Sequence, residues 1–220
     1  MSENESFLNE VTEEVRKDQM IAFLRRNGLW IGLGVAVIVG GAAVNEYIKA
    51  SARAEAQARG SAIWDGLEAG DAAARSAALA AVDLGDQQSG RIRDLHLATA
   101  MAEEGDRSGS LELLRAIVAD QNASAPVRDL ARLKLVIQGA DILDADERLD
   151  ILSIISGPGH PFRRLALEQQ ALILIETGDT TGATEILTTL VDDPDAGQAA
   201  RGRADQLLTI LDGGPGADGG

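Results

Sequence analysis

The chain has 220 residues, no cysteine and a formal net charge of −15. That charge argues against nucleic acid as a partner, since phosphate binding needs a strongly basic surface, and the lack of cysteine excludes disulfide scaffolding and thiol chemistry. Aromatic residues make up 3%, and the prevalence of Ala, Leu and Ile suits closely packed helices more than sheets, where β-branched and aromatic residues concentrate.

Residues 1–27 read as a cytoplasmic amphipathic segment. Phe7, Leu8, Val11, Val15, Ile21 and Leu24 fall largely along one helical face, a pattern suited to docking a partner. Next comes GLWIGLGVAVIVGGAAV, Gly28 to Val44, without a charge, preceded by Arg25 and Arg26 and followed by Glu46 and Lys49. At ~1.5 Å per residue this run reaches about 26 Å, so residues 28–45 span a hydrocarbon core of ~30 Å only with Asn27, Trp30 and Asn45 at the interfaces. The expectation is one transmembrane helix. Arg16, Lys17, Arg25 and Arg26 before it outweigh Lys49, Arg53 and Arg59 after it, which sets the N-terminus inside. The acidic remainder then lies outside, in the periplasm of a bacterial inner membrane. A cleaved signal peptide is the competing reading, with Gly41-Ala42-Ala43 as small residues for cleavage. Six acidic residues among the first 27 make a poor signal-peptide start.

Gly28, Gly32, Ala36 and Gly40 recur at every fourth position of the run. A small-residue stripe lets another membrane helix approach closely, either a second copy, giving a homo-oligomer, or a partner's helix. Glycine is also simply common in membrane helices.

Residues 46–212 carry a repeat. Gly-Asp stands at Gly70-Asp71, Gly105-Asp106 and Gly178-Asp179, with a looser Gly139-Ala140-Asp141. Apolar residues flank each at helical spacing, such as Leu167, Ala171, Leu174 and Ile175 before Gly178, then Ala183, Ile186, Leu187 and Leu190 after it. Glycine supplies a left-handed helix end and aspartate starts the next helix. The spacing predicts helical pairs at 46–69 with 72–83, 89–103 with 107–119, 126–138 with 144–155 and 161–176 with 180–191. A final helix at 196–211 caps the stack, and the glycine-rich tail 213–220 is expected to be disordered.

A helical hairpin every 34 residues or so resembles the tetratricopeptide repeat, an all-α solenoid. The clearest copy places Leu167, Ala171, Leu174, Gly178-Asp179, Ala183, Leu187, Leu190 and Pro194 where that family has its apolar positions, turn and closing proline. In the weaker copy ending near Asn122, Ser110 occupies the small position, and the copies at 50–84 and 126–156 are degenerate. The leader FLNEVTEEVRKDQMIAFLRRNG, the glycine-rich span and the repeat domain together resemble the alphaproteobacterial YfgM-like family of ancillary SecYEG translocon subunits. That resemblance implies translocon and periplasmic chaperone partners, among them the membrane-anchored prolyl isomerase PpiD, and a role in helping exported proteins leave the channel.

Basic residues recur near the start of each repeat: Arg91 and Arg93, Arg128 with Arg132 and Lys134, Arg163 and Arg164, Arg201 and Arg203. On the first helices of such hairpins they could line a groove for an acidic segment. The alternative is salt bridging between repeats, with Asp94, Asp120, Asp129 or Asp205 as partners. Trp64 is expected to pack in the first hairpin. His96 and His160 stand far apart in sequence, and no zinc-protease, serine-hydrolase or nucleotide-loop pattern occurs. No enzyme, cofactor or metal is therefore expected, and a hydrolase is the remote alternative. A nearer one is an anchored assembly factor for another envelope system, such as cytochrome c maturation or cell division.

Overall fold

The computed structural model describes residues 3–85 and 87–213, without the side chains of Gln87 and of several residues in the first helix. The fold is all-helical. Among the described residues there are nine α-helices: α1 (Glu3–Leu67), α2 (Ala72–Ala81), α3 (Gln87–Glu104), α4 (Arg107–Ala119), α5 (Ala125–Gln138), α6 (Ala145–Ser153), α7 (Arg163–Thr177), α8 (Thr180–Asp192) and α9 (Gln198–Asp212). The chain divides into two compact units, Met1–Ala58 and Arg59–Gly220.

In the first unit, α1 continues unbroken through the 27/28 and 45/46 boundaries read from the sequence. No proline stands among these residues to stop it. Its apolar side chains are exposed, Leu29 at 84%, Ile38 at 73% and Tyr47 at 76%. Among the described residues no helix is long and apolar enough to cross a membrane. Ile31, Gly32 and Val35, inside the uncharged run, fall outside the residues whose side chains are described.

In the second unit, consecutive helices pack in chain order from α2 to α9. The connections α3–α4 and α7–α8 are two residues each, so these helices turn back directly on their predecessors. Helix α5 also touches α3 and α7, whereas the even-numbered helices have no comparable contact with one another. One layer is thus α3, α5 and α7 side by side, with α4, α6 and α8 spread behind it. The arrangement is consistent with an α-solenoid.

Two of the three Gly-Asp turns are built as their chemistry requires; at Gly70-Asp71 the aspartate caps the next helix but the glycine is not left-handed. Gly105 has φ 106° and Gly178 φ 83°, the left-handed region that side chains with a Cβ rarely adopt. Asp71, Asp106 and Asp179 then cap α2, α4 and α8, each accepting the N–H three residues on, from Ala74, Gly109 and Gly182 at 2.9 Å. Two other expectations are corrected. Gly139 ends α5 at φ −89°, so no left-handed turn forms there. Helix α6 starts after Asp144, and Asp141 pairs with Arg107 at 2.7 Å instead.

Three apolar clusters fill the space between layers. Leu95, Ala98, Leu111, Leu114, Ile117 and Ala131 join α3, α4 and α5. A second cluster centres on Val136, Leu152, Ile155 and Ile173, and a third on Ala171, Leu187, Leu190 and Ala204. Ser110 is fully buried, and its hydroxyl donates to the Ala98 carbonyl at 2.6 Å and meets the Gln138 side-chain amide at 2.6 Å. A small polar side chain is therefore satisfied at the point where α3, α4 and α5 converge. Trp64, expected inside the first hairpin, is 62% exposed. The end of α1 approaches α2 through Gly66, whose missing side chain leaves room for Leu79, whereas Trp64, two residues earlier, stands on another face of the helix. The glycine-rich tail from 214 onward lies outside the described residues.

Candidate functional site

The basic residues singled out in the sequence all belong to odd-numbered helices: Arg91 and Arg93 to α3, Arg128, Arg132 and Lys134 to α5, Arg163 and Arg164 to α7, Arg201 and Arg203 to α9. Their hydrogen bonds are used at successive junctions of the stack. Arg91 donates to Asp120, at the end of α4, at 2.6 Å and to Asp94 at 3.4 Å. Asp94 is itself buried, and Arg93 holds it at 2.6 Å while reaching back to the Val82 carbonyl at 2.7 Å. Asp120 also accepts the Asn122 N–H at 2.9 Å. That bond and then Arg91 hold its carboxyl below the usual range.

Arg163 repeats the device on Asp193, at the end of α8, at 2.8 Å. Arg132 pairs with Asp129 at 2.5 Å, and the second Asp129 oxygen lies 3.3 Å from His160 Nε2. His160 Nδ1 accepts the Phe162 N–H at 3.2 Å, so the imidazole ties the Gly-Pro-Gly-His-Pro turn to α5. Arg128 donates to the carbonyls of Ala123 and Gln121, and Arg201 to those of Asp193 and Pro194. Arg203 grips Glu168 with two bonds of 2.7 Å, where the sequence pointed to Asp205. These arginines join neighbouring repeats or close loops, each with its own acceptors, and do not gather around one common cleft.

Arg164 differs. Among the described residues no hydrogen bond or ion pair reaches its guanidinium. It lines a cleft of about 700 Å³ with Pro158, His160, Thr189 and Asp195. Sequence reasoning missed Arg148, which is 3% exposed on α6 and donates to Glu176 at 2.7 Å, lowering that carboxyl's pKa. An arginine in mid-helix among Asp and Glu reads as a surface residue, and only the stack reveals its burial.

Among the described residues Lys134 has no carboxylate within ion-pair distance. Its ammonium donates to Thr99 Oγ1 at 2.6 Å across the α3–α5 boundary. Burial pushes its pKa below the usual amine value against the opposing pull of Glu103. Burial, and then Lys134, likewise depress His96. Among the described residues no group of His, Cys, Asp and Glu is arranged to hold a metal ion.

Of the small-residue stripe, Gly28 and Gly40 have open space where a Cβ would stand, and Ala36 is exposed. Gly32 lies outside the described side chains, as do Phe7, Leu8, Val11, Val15 and Leu24 of the leader face, while Ile21 is exposed. No family model matches the chain, and neither a curated protein nor a solved structure does.

Proposed function

We propose that this protein is a single-pass inner-membrane interaction module. Residues 28–45 anchor it, a tetratricopeptide-like repeat domain faces the periplasm, and the two together assist exported proteins at the Sec translocon alongside periplasmic chaperones. The observation that carries the anchor is the uncharged run from Gly28 to Val44 on an unbroken helix whose described apolar side chains have no protein partner. An apolar surface of that extent needs a lipid or protein cover. Support for the repeat reading comes from the capped Gly-Asp turns and the chain-order stacking of helices. The translocon reading rests on the resemblance of leader, span and repeat to the YfgM-like family. The small stripe would serve the membrane helix contact and the repeat unit the contact with client or chaperone.

Site-directed photo-crosslinking tests the division of labour. A photoreactive residue at Ala36 should capture a translocon subunit, and one at Ile137 should capture an exported chain or a periplasmic chaperone. Gly32→Ile with Ala36→Ile in the background of a probe at Gly40 should abolish capture of the membrane partner while membrane insertion survives. Translocon capture undiminished by that pair would remove the stripe from the mechanism, and no translocon capture from any span position would overturn the translocon reading.

A further inference from the structure

Of the five asparagines in the chain, Asn4 and Asn122 are the two followed by a serine two residues on, with no proline between. Asn4-Glu5-Ser6 lies in the leader, and Asn122-Ala123-Ser124 lies between α4 and α5. This tripeptide is the acceptor pattern for N-linked glycans, which attach at the surface of proteins that leave the cytoplasm. The amide nitrogen of asparagine takes the sugar, and the hydroxyl two residues on is what the transferase reads beside it.

The α4–α5 loop presents both groups. Asn122 is exposed, whereas Ala123, next to it, is 3% exposed and pins the loop to the core. Charged neighbours fix the loop backbone: Arg128 donates to the Gln121 and Ala123 carbonyls, and Asp120, gripped by Arg91 at 2.6 Å, accepts the Asn122 N–H at 2.9 Å. Ser124 stands at the start of α5, where a serine hydroxyl ordinarily accepts one of the first helical N–H groups, yet it makes no such bond. Pro126 has no N–H to give it, and the Val127 N–H goes to the Ser124 carbonyl at 3.1 Å. The hydroxyl instead meets the side-chain amide of exposed Gln88 at 2.8 Å. It is therefore not spent on holding the helix.

We propose that Asn122 is an N-glycosylation site, its donor an oligosaccharide carried on a lipid diphosphate and transferred by a membrane oligosaccharyltransferase. The Asn122 amide nitrogen bonds to the anomeric carbon of the sugar. The bond from that carbon to the diphosphate oxygen breaks, the lipid diphosphate leaves with the electron pair, and one amide proton passes to a base of the transferase. The site rests on the reading that puts the repeat unit outside the membrane. By the same reading Asn4, on the inner side, stays unmodified.

The test isolates the full chain from its native membranes and reads its tryptic peptides by tandem mass spectrometry. The peptide of residues 116–128, released by cleavage after Arg115 and Arg128, should carry a glycan on Asn122, and the leader peptide with Asn4 should carry none. Asn122→Gln and Ser124→Ala should each lose the glycan, while Ser124→Thr, which restores the hydroxyl, should keep it. A wild-type 116–128 peptide without a glycan, or a glycan that persists in Ser124→Ala, overturns the proposal. A bare Asn122 in a chain whose repeat unit is labelled from outside by a membrane-impermeant thiol reagent would sink the site alone. A glycan on Asn4 with Asn122 bare would overturn the orientation as well.

Discussion

Leu114→Ala should lower the stability of the repeat unit by about 3–4 kcal/mol, the cost of a deep large-to-small change that leaves a cavity. Leu114 on α4 has no exposed surface and packs in the cluster with Leu95, Leu111, Ile117 and Ala131, so the cavity opens where three helices meet. In a stack of this kind each repeat is held by its own core and by its neighbours, and a weakened middle interface loosens both sides. For a domain of ordinary stability, about 5–15 kcal/mol in total, the loss is a large share. Urea unfolding of the full chain in detergent, followed by far-ultraviolet circular dichroism, measures it. A midpoint shift no larger than that of Leu165→Ala, whose side chain is 44% exposed, would show that Leu114 does not bear on the core as described.

The second large effect belongs to the turns. Gly105→Val and Gly178→Val should each cost about 1–2 kcal/mol, because a β-branched residue at positive φ is strained whatever room surrounds it. Room is not the limitation, since a Cβ at either position would meet nothing within 4 Å. Gly178→Asn should recover much of the loss, as asparagine tolerates the left-handed region better than other residues with a Cβ. Gly157→Val is the matched control, an open site without a positive φ. Equal midpoints for Gly157→Val and Gly178→Val would remove backbone conformation as the reason for these glycines.

The turns were legible in the sequence because they rest on single-residue chemistry: only glycine adopts the conformation of Gly105 and Gly178 without strain, and an aspartate following it supplies the acceptor that a new helix start needs. Helical periodicity did the rest for α4, α7 and α8. Where the turn lacked that chemistry, at Gly139, the helix bounds were still read to within two residues, but neither the left-handed glycine nor a helix start at Asp141 forms. The partners of the arginines were not legible to the same degree. In an acidic domain basic residues at regular spacing favour interhelix bridges over a groove, but whether Arg91 meets Asp120 or Arg203 meets Glu168 is decided by which helices the stack brings together. Lys134 could have been separated from Arg128 and Arg132 by helical phase. Arg128 and Arg132 are four apart and share a face, whereas Lys134 falls with Leu130 and Ile137 on another. Trp64 was misplaced because α1 meets α2 with the face that carries Gly66, against Leu79, and no local pattern announces which face that is.

The chain contains no cysteine, so one introduced thiol reports its own side of a membrane without background. Ser108→Cys places it at an exposed position on α4, and Ser6→Cys places it in the leader. In spheroplasts treated with a membrane-impermeant maleimide, the thiol at position 108 should be labelled at once and the one at position 6 only after lysis, with both proteins in the membrane pellet. Labelling at position 6 with protection at position 108, or recovery of the chain in the soluble fraction, would contradict an anchored module whose repeat unit faces the periplasm.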